Sequence, residues 1–472
     1  MKSLWEQEVV LPSFPQLEGE KTTDVLIVGG GMAGILCAHF LQKQGVKYCL
    51  VEGGQIAGRE TGHTTAKITA QHGLIYHEIA ERYGLEAAAK YYDVNQAAVE
   101  QYSRLCKGVD CDWEEKDNYV YSVKNRNKLE REIDVLERIR GQASFADVLP
   151  LPFGTCGAVC FPEQAQFHPL KFLKTIAHEL EIYESTSVQK VQGNCVYTAK
   201  GMLMVRGLEI YEKTKVLGFE EYTKAGFRKV RLSGGATVYA KNIIITTHFP
   251  MVNKHGMYFI KLYQHRSYVT VLKNAPHYPG MYVDEDKEGF SFRNAGECLL
   301  FGGGGHRTGK AGGGFTELRG RGEVFFPEAR EICRWAAQDC MSLDGIPYIG
   351  KYSKGSSGLF TATGFNKWGM TCSMVAAMIL TDLVQGKKNE YELLFSPGRP
   401  VVTKQLAVNL TESAMGLLSF SRPRCPHLGC ALKWNREEHS WDCPCHGSRF
   451  AEDGTVLENP ANGDLKKNRE KT

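Results

Sequence analysis

The hydrophobic pattern is most regular near the start of the chain. Residues 24–28, DVLIV, form an apolar run that meets glycines at once. Residues 32–44 then carry apolar positions at helical spacing, and KYCLVE at 47–52 returns to a short apolar run. Strand, glycine turn, helix and strand in that order predict a βαβ unit. Further on, 77–105 and 124–140 read as amphipathic, charge-rich helices, 169–181 as another helix, and VQKVQ at 188–192 as a strand. Residues 196–240 alternate polar and apolar between glycine and lysine turns, which predicts antiparallel hairpins. NIIITT at 242–247 reads as a buried strand, 257–305 as β-branched and aromatic strands, and 325–338 and 369–385 as helices. The stretch 386–404 turns to charge, proline and glycine and reads as a domain linker. There is no internal repeat.

Composition narrows the class. Of 472 residues 43% are hydrophobic and 23% charged, enough apolar material for large cores. The net charge is +4 and no long basic run occurs, so nucleic acid has no electrostatic support as a partner. No apolar run approaches the roughly 18 residues of a membrane span. The N-terminal MKSLWEQEVVLPSFPQ has no apolar signal-like stretch, so a cytoplasmic protein is expected. Of 15 cysteines, eleven are scattered from Cys37 to Cys372, as buried reduced thiols would be; four crowd into Cys425–Cys445, as a metal site would have them.

The glycines after the first strand fit G-x-G-x-x-G: Gly29, Gly30, Gly31, Met32, Ala33 and Gly34. Gly29 permits the tight turn, Gly31 the approach of a pyrophosphate, and Gly34 the close packing of helix on strand. The helix N-terminus offers free N–H groups and the positive end of its dipole to phosphate. Glu52 closes the next strand, where a carboxylate accepts from ribose hydroxyls. The motif alone does not separate NAD from FAD.

The cysteine-rich end reads Cys425-Pro426-His427-Leu428-Gly429-Cys430 and Cys443-Pro444-Cys445-His446-Gly447-Ser448. Cys-x-His and Cys-x-x-His on two loops can hold one centre. Two thiolates suit one iron of a [2Fe–2S] cluster and two imidazoles the other, which raises the potential. The candidate ligands are Cys425, His427, Cys443 and His446. A Cys2His2 zinc site is the competing reading.

Around the fingerprint and Glu52 stand 58–67 (GRETGHTTAK), 166–169 (QFHP), 344–350 (DGIPYIG) and 361–371 (TATGFNKWGMT). With these, residues 1–395 resemble the FAD-dependent amine and amino-acid oxidoreductases typified by D-amino-acid oxidase, sarcosine oxidase and gamma-glutamylputrescine oxidase. With the C-terminal motifs, nearly the whole chain resembles a bacterial family of Rieske-containing FAD oxidoreductases. The resemblance implies an α/β fold with a Rossmann-like FAD-binding domain, an α+β substrate domain and a small all-β Rieske module. FAD-binding parts are expected at about 20–75, 150–250 and 330–395, substrate-binding parts at 76–149 and 251–329, a linker at 396–410 and the Rieske module at 411–472.

The same resemblance implies that Arg59, Thr64 and Thr65 run beside the flavin ring, that the backbone at Val188 contacts adenine, and that Gly364, Gly369, Met370 and Thr371 belong to a helix start aimed at the ring. A dipole there would stabilise reduced flavin. It also implies a disulfide between Cys430 and Cys445 and a Ser448 hydroxyl bonded to a bridging sulfide. His306 is a candidate proton acceptor, and Arg293 or Arg266 a candidate carboxylate grip; Lys67, His63 and His72 either face the flavin or cover a surface. Two features depart from the family: only about 30 residues separate the flavin domain from Cys425, and Pro426 stands where threonine is common. The activity implied is oxidation of an amine or amino-acid-like substrate by hydride transfer to flavin. The [2Fe–2S] cluster would relay the electrons to an unidentified acceptor protein. An oxygen-using oxidase with a vestigial cluster, and an electron carrier without a small substrate, are the alternatives.

Overall fold

The computed structural model describes residues 1–178, 180, 182–183, 188–197, 227–232, 236–251, 256–286, 289–419 and 423–465. Val25 to Val28 are all buried because their strand, Glu20–Val28, lies between two parallel neighbours, Tyr48–Val51 and Thr237–Ile245. A central strand covered on both faces needs a continuous apolar run rather than alternation. Leu359–Thr363 extends the parallel set, and Tyr348–Lys351 closes it antiparallel. The helices Met32–Lys43 and Gly369–Val384 pack on each other against this sheet.

The second sheet has nine strands. Its path runs Arg330–Ser342, Leu262–Lys273, Cys298–Arg307, Ser291–Ala295, Met281–Asp284, Glu114–Tyr121, Ala158–Gln166 and Lys67–Ile68, with Ser144–Ala146 beside Ala158–Gln166. The third is a four-stranded meander, Lys433–Asn435, Ser440–Asp442, Arg449–Ala451 and Val456–Glu458. An α/β nucleotide-binding layer, an α+β second layer and a small β module are thus all present.

Several sequence readings change. The stretch 325–338, read as helix, is mostly strand: Arg330–Ser342 pairs along its length with Leu262–Lys273, and Gly314–Phe325 is the helix instead. Long-range pairing overrides the helix preference of Ala336 and Ala337, while Gly320 and Gly322 hid the true helix. The pattern at 77–105 is two helices, Ile75–Tyr83 and Leu85–Cys106, parted at Gly84 with φ 87°. The stretch read as linker carries a helix, Lys404–Leu418, capped by Thr403, whose hydroxyl accepts from Leu406 N. Hairpin pairing is seen between Arg228–Leu232 and Thr237–Ala240, whereas 198–226 of the predicted hairpin region lie outside the described residues.

Candidate functional site: a flavin chamber walled in part by the C-terminal module

The glycine loop is held by contacts that exclude any larger residue. At Gly34 a Cβ would overlap Gly29 O, and at Gly29, with φ 115°, it would press on Thr246 O. Gly31 is the N-cap of Met32–Lys43 and supplies no side-chain bond; Met32 N donates to Thr61 Oγ1 at 3.1 Å, and the positive end of the helix faces the loop where an anion would sit. Glu52 anchors the loop from the next strand, accepting from Gly30 N at 2.6 Å and Gly54 N at 2.7 Å. Beneath the loop lies a cavity of about 1270 Å³, lined by Gly29, Gly31, Met32, Ala33 and Glu52 at one end and by Gly364, Gly369 and Met370 further along. Its size and the glycines along its wall fit a dinucleotide.

Arg59, Thr64, Thr65 and Lys67 also line this chamber. Their segment is clamped from behind. Trp5 Nε1 donates to Thr64 O and Trp335 Nε1 to His63 O, each at 2.8 Å. Arg293 Nη1 donates to Thr65 O at 2.6 Å and Ala66 O at 2.9 Å. Arg293 is therefore spent on backbone carbonyls and stacks on Trp5, rather than offering a free fork to a carboxylate. Thr371 likewise pins the helix start: its hydroxyl donates to Thr69 O and accepts from Thr69 N. Val188 opens the strand Val188–Tyr197 and pairs in register with Leu232.

Other weak candidates are redirected as well. His306 has both ring nitrogens engaged, by Tyr268 Oη at 2.9 Å and Arg307 O at 3.0 Å. Arg266 grips carboxylates of its own chain, Glu438 and Glu458. His63 bonds Arg59 O and Glu6. His72 stacks on Trp368, with Nδ1 2.7 Å from Tyr91 Oη, and burial lowers it to about 3, which keeps it neutral. Lys67, unlike Arg266 and Arg293, lines the chamber. Its nearest polar partner is Thr65 Oγ1 at 3.5 Å, and burial lowers it to about 7.

The C-terminal loops form two like turns. Gly429 N donates to Cys425 O and Gly447 N to Cys443 O, both at 2.9 Å. The turns bring the imidazoles of His427 and His446 to 5.0 Å between centroids, set the Cys425 side chain against that of Cys443, and place the sulfurs of Cys430, Cys443 and Cys445 within 4.8 Å of one another. Bonding from Cys425, Cys430 and Cys445 lowers the Cys443 thiol. His446 Nε2 meets Ser413 Oγ at 3.2 Å, while its Nδ1 is buried without a hydrogen-bond partner. A buried imidazole nitrogen with no partner beside thiols fits metal ligation. Cys430 and Cys445, the pair expected to form a bridge, lie side by side, with sulfurs within 4.8 Å of each other. Ser448 Oγ accepts from Ala461 N at 3.0 Å.

Sequence reasoning missed the way the module meets the chamber. Glu458, Asn459 and Asn462 line the same cavity as Gly29. Asn459 Nδ2 donates to Thr247 O and Phe249 O, and Asn462 Nδ2 to Met251 O, so the module fixes the loop after the strand Thr237–Ile245. Below it lies a buried network. Arg266 and Arg449 share Glu438 and Glu458, and Arg449 also holds Asp442. Burial opposes the Glu438 charge, but the two guanidinium groups outweigh it and lower Glu438 to about 2. Single arginines and glutamates carry no motif, so no local signal could have paired them.

Comparison with known proteins agrees with this architecture. The family described as FAD dependent oxidoreductase matches residues 24–383, and the Rieske [2Fe-2S] domain matches 395–469. The chain belongs to the FAD dependent oxidoreductase family and carries a C-terminal Rieske domain; its cofactors are FAD and a [2Fe–2S] cluster. It is 33% identical to the Rieske 2Fe-2S iron-sulfur protein YhfW of Bacillus subtilis (strain 168), over 98% of this chain and 97% of that one. The cluster segment is 54% identical over 37 residues to cytochrome b6-f complex iron-sulfur subunit 3 of Nostoc sp., covering 8% of this chain and 21% of that protein. Among solved structures, glycine oxidase from Geobacillus kaustophilus superposes with a TM-score of 0.62 at 18% identity, covering 81% of this chain and all of that one. Among the described residues no helix is long and apolar enough to cross a membrane.

Proposed function

We propose that this enzyme is a dehydrogenase that oxidises an amine or amino-acid-like substrate at a C–N bond and delivers the electrons to a partner protein. The observation that carries the reading is the shared wall: Glu458, Asn459 and Asn462 of the cluster module line the cavity that begins at the dinucleotide loop. A module that shares the cavity wall is placed to exchange electrons with a cofactor held there. The fold shared with glycine oxidase supports the substrate class.

When bound, FAD supplies a hydride acceptor and the cluster a one-electron acceptor. The chain's own residues would do the rest. The Gly29–Gly34 loop and the N-terminus of Met32–Lys43 would hold the pyrophosphate, and Glu52 the ribose hydroxyls. The helix beginning at Gly369 turns its positive end to the chamber and would stabilise negative charge there. Lys67, poised near neutrality by burial, would take a proton from a substrate ammonium at its Nζ, leaving the amine neutral for oxidation. Cys425 and Cys443, with His427 and His446, would hold the cluster.

The test is anaerobic mixing of the holoprotein with a panel of amino acids, secondary amines and 2-hydroxy acids, following flavin bleaching. Bleaching by amines alone, with turnover faster on a one-electron acceptor protein than on oxygen, is the expected result. Bleaching by hydroxy acids alone contradicts the substrate class, and faster turnover on oxygen contradicts the dehydrogenase reading.

A further inference from the structure

One buried side chain joins the two halves of this chemistry. Gln338 is 1% exposed, sits on Arg330–Ser342 and lines the chamber. Its backbone N–H donates to Glu60 Oε2 at 2.8 Å, within the segment read as running beside the flavin. The Thr308 hydroxyl donates to Gln338 Oε1 at 2.9 Å, which fixes the amide so that Nε2 donates to Gly447 O, also at 2.9 Å. Gly447 N in turn donates to Cys443 O. A continuous path of covalent and hydrogen bonds thus runs from Glu60 to the cluster loop.

The surroundings keep that path rigid. Gly447 has φ 88°, and a Cβ there would overlap the Gln264 side chain. Arg307 donates to Pro444 O at 3.2 Å and to Cys445 O at 3.1 Å. A Cβ on Gly309 would strike the Pro444 backbone. Three carbonyls of the loop 443–448 are therefore held by two side chains of the second sheet.

We propose that Gln338 is the positioning residue of an electron route inside this chain, fixing the loop 443–448 to the chamber wall so that electrons cross without movement of the C-terminal module. The proposal rests on the reading above, that the flavin feeds the cluster. Each substrate oxidation releases two electrons as hydride. They cross the wall singly, in two successive transfers, and a one-electron haem or iron–sulfur protein collects each. The accompanying protons go to solvent.

Two variants test it. Gln338→Glu keeps the length and the acceptor for Thr308 but loses the donor to Gly447 O; Gln338→Met keeps the bulk and loses both. In each holoprotein the flavin is reduced by a light pulse with EDTA as donor, and cluster reduction is followed by absorption and EPR. Both variants are expected to slow flavin-to-cluster transfer about tenfold or more, toward the roughly hundredfold that a 1 Å misplacement can cost. Amide hydrogen exchange of 443–448 should rise, while FAD content and the g values of the cluster match the parent. Parental transfer rates and exchange in both variants would overturn the proposal. If the parent itself shows no cluster reduction after the pulse, the underlying reading of a flavin-fed cluster fails instead.

Discussion

The two cluster loops share a Cys-His pattern and a turn geometry, yet they sit in unlike surroundings. The loop 443–448 is buried throughout, and Gln338 and Arg307 from the second sheet hold its carbonyls. In the loop 425–430, Pro426 is exposed and His427 half-buried, and the exposed Arg424 donates to Gly429 O at 2.6 Å. The same ligand chemistry thus has one side bonded to the second sheet, through Gln338 to the chamber wall, and one side toward solvent. That asymmetry belongs to the fold, not to the motif.

The largest predicted effect lies under the inner loop. Glu438→Gln leaves Arg266 and Arg449 short of a buried partner and should cost about 4 kcal/mol, read by denaturant unfolding. The pH dependence follows from the same carboxylate. Its folded pKa of about 2 lies below the ordinary 4.5, so its stabilisation is complete above about 4.5 and is lost as pH falls toward 2. The variant should lose that acid-side slope.

Next come the two turn glycines, which test the comparison directly. Gly447 and Gly429 both have positive φ, so alanine at either strains the backbone by roughly 1–2 kcal/mol. Only at Gly447 does a Cβ also meet a neighbour, Gln264; at Gly429 nothing lies within 4 Å. Gly447→Ala should therefore cost about 3 kcal/mol, overpacking included, and Gly429→Ala about half that. Equal costs would remove the asymmetry. A smaller effect is expected from Arg307→Leu, about 1–2 kcal/mol from lost bonds to Pro444 O and Cys445 O, with faster amide exchange confined to 443–448. Smallest is Arg424→Ala, within about 0.5 kcal/mol because Arg424 is exposed.

What was legible in the sequence was local. DVLIV, the glycines behind it and Glu52 lie within one βαβ unit, so spacing alone places them. Cys425–Cys430 and Cys443–Ser448 are likewise short runs whose chemistry is written in adjacent residues. What was not legible was contact between distant segments. Gln338 stands 278 positions from Glu60 and 109 from Gly447. Arg266, taken for a substrate grip, finds its acids 172 and 192 positions on. The strand Arg330–Ser342 was misread for the same reason, since its partner Leu262–Lys273, not its own composition, makes it a strand. Arg293 was noticed for its charge, but its use as a clamp on 65–66 depends on a turn the sequence does not display.

The most direct measurement is the cofactor content of anaerobically purified protein, with low-temperature EPR after reduction. The account predicts two irons and two acid-labile sulfides for each FAD, in keeping with the Rieske [2Fe-2S] domain, and the low average g value of a histidine-ligated cluster. Zinc without iron or sulfide, beside a full complement of FAD, would contradict it.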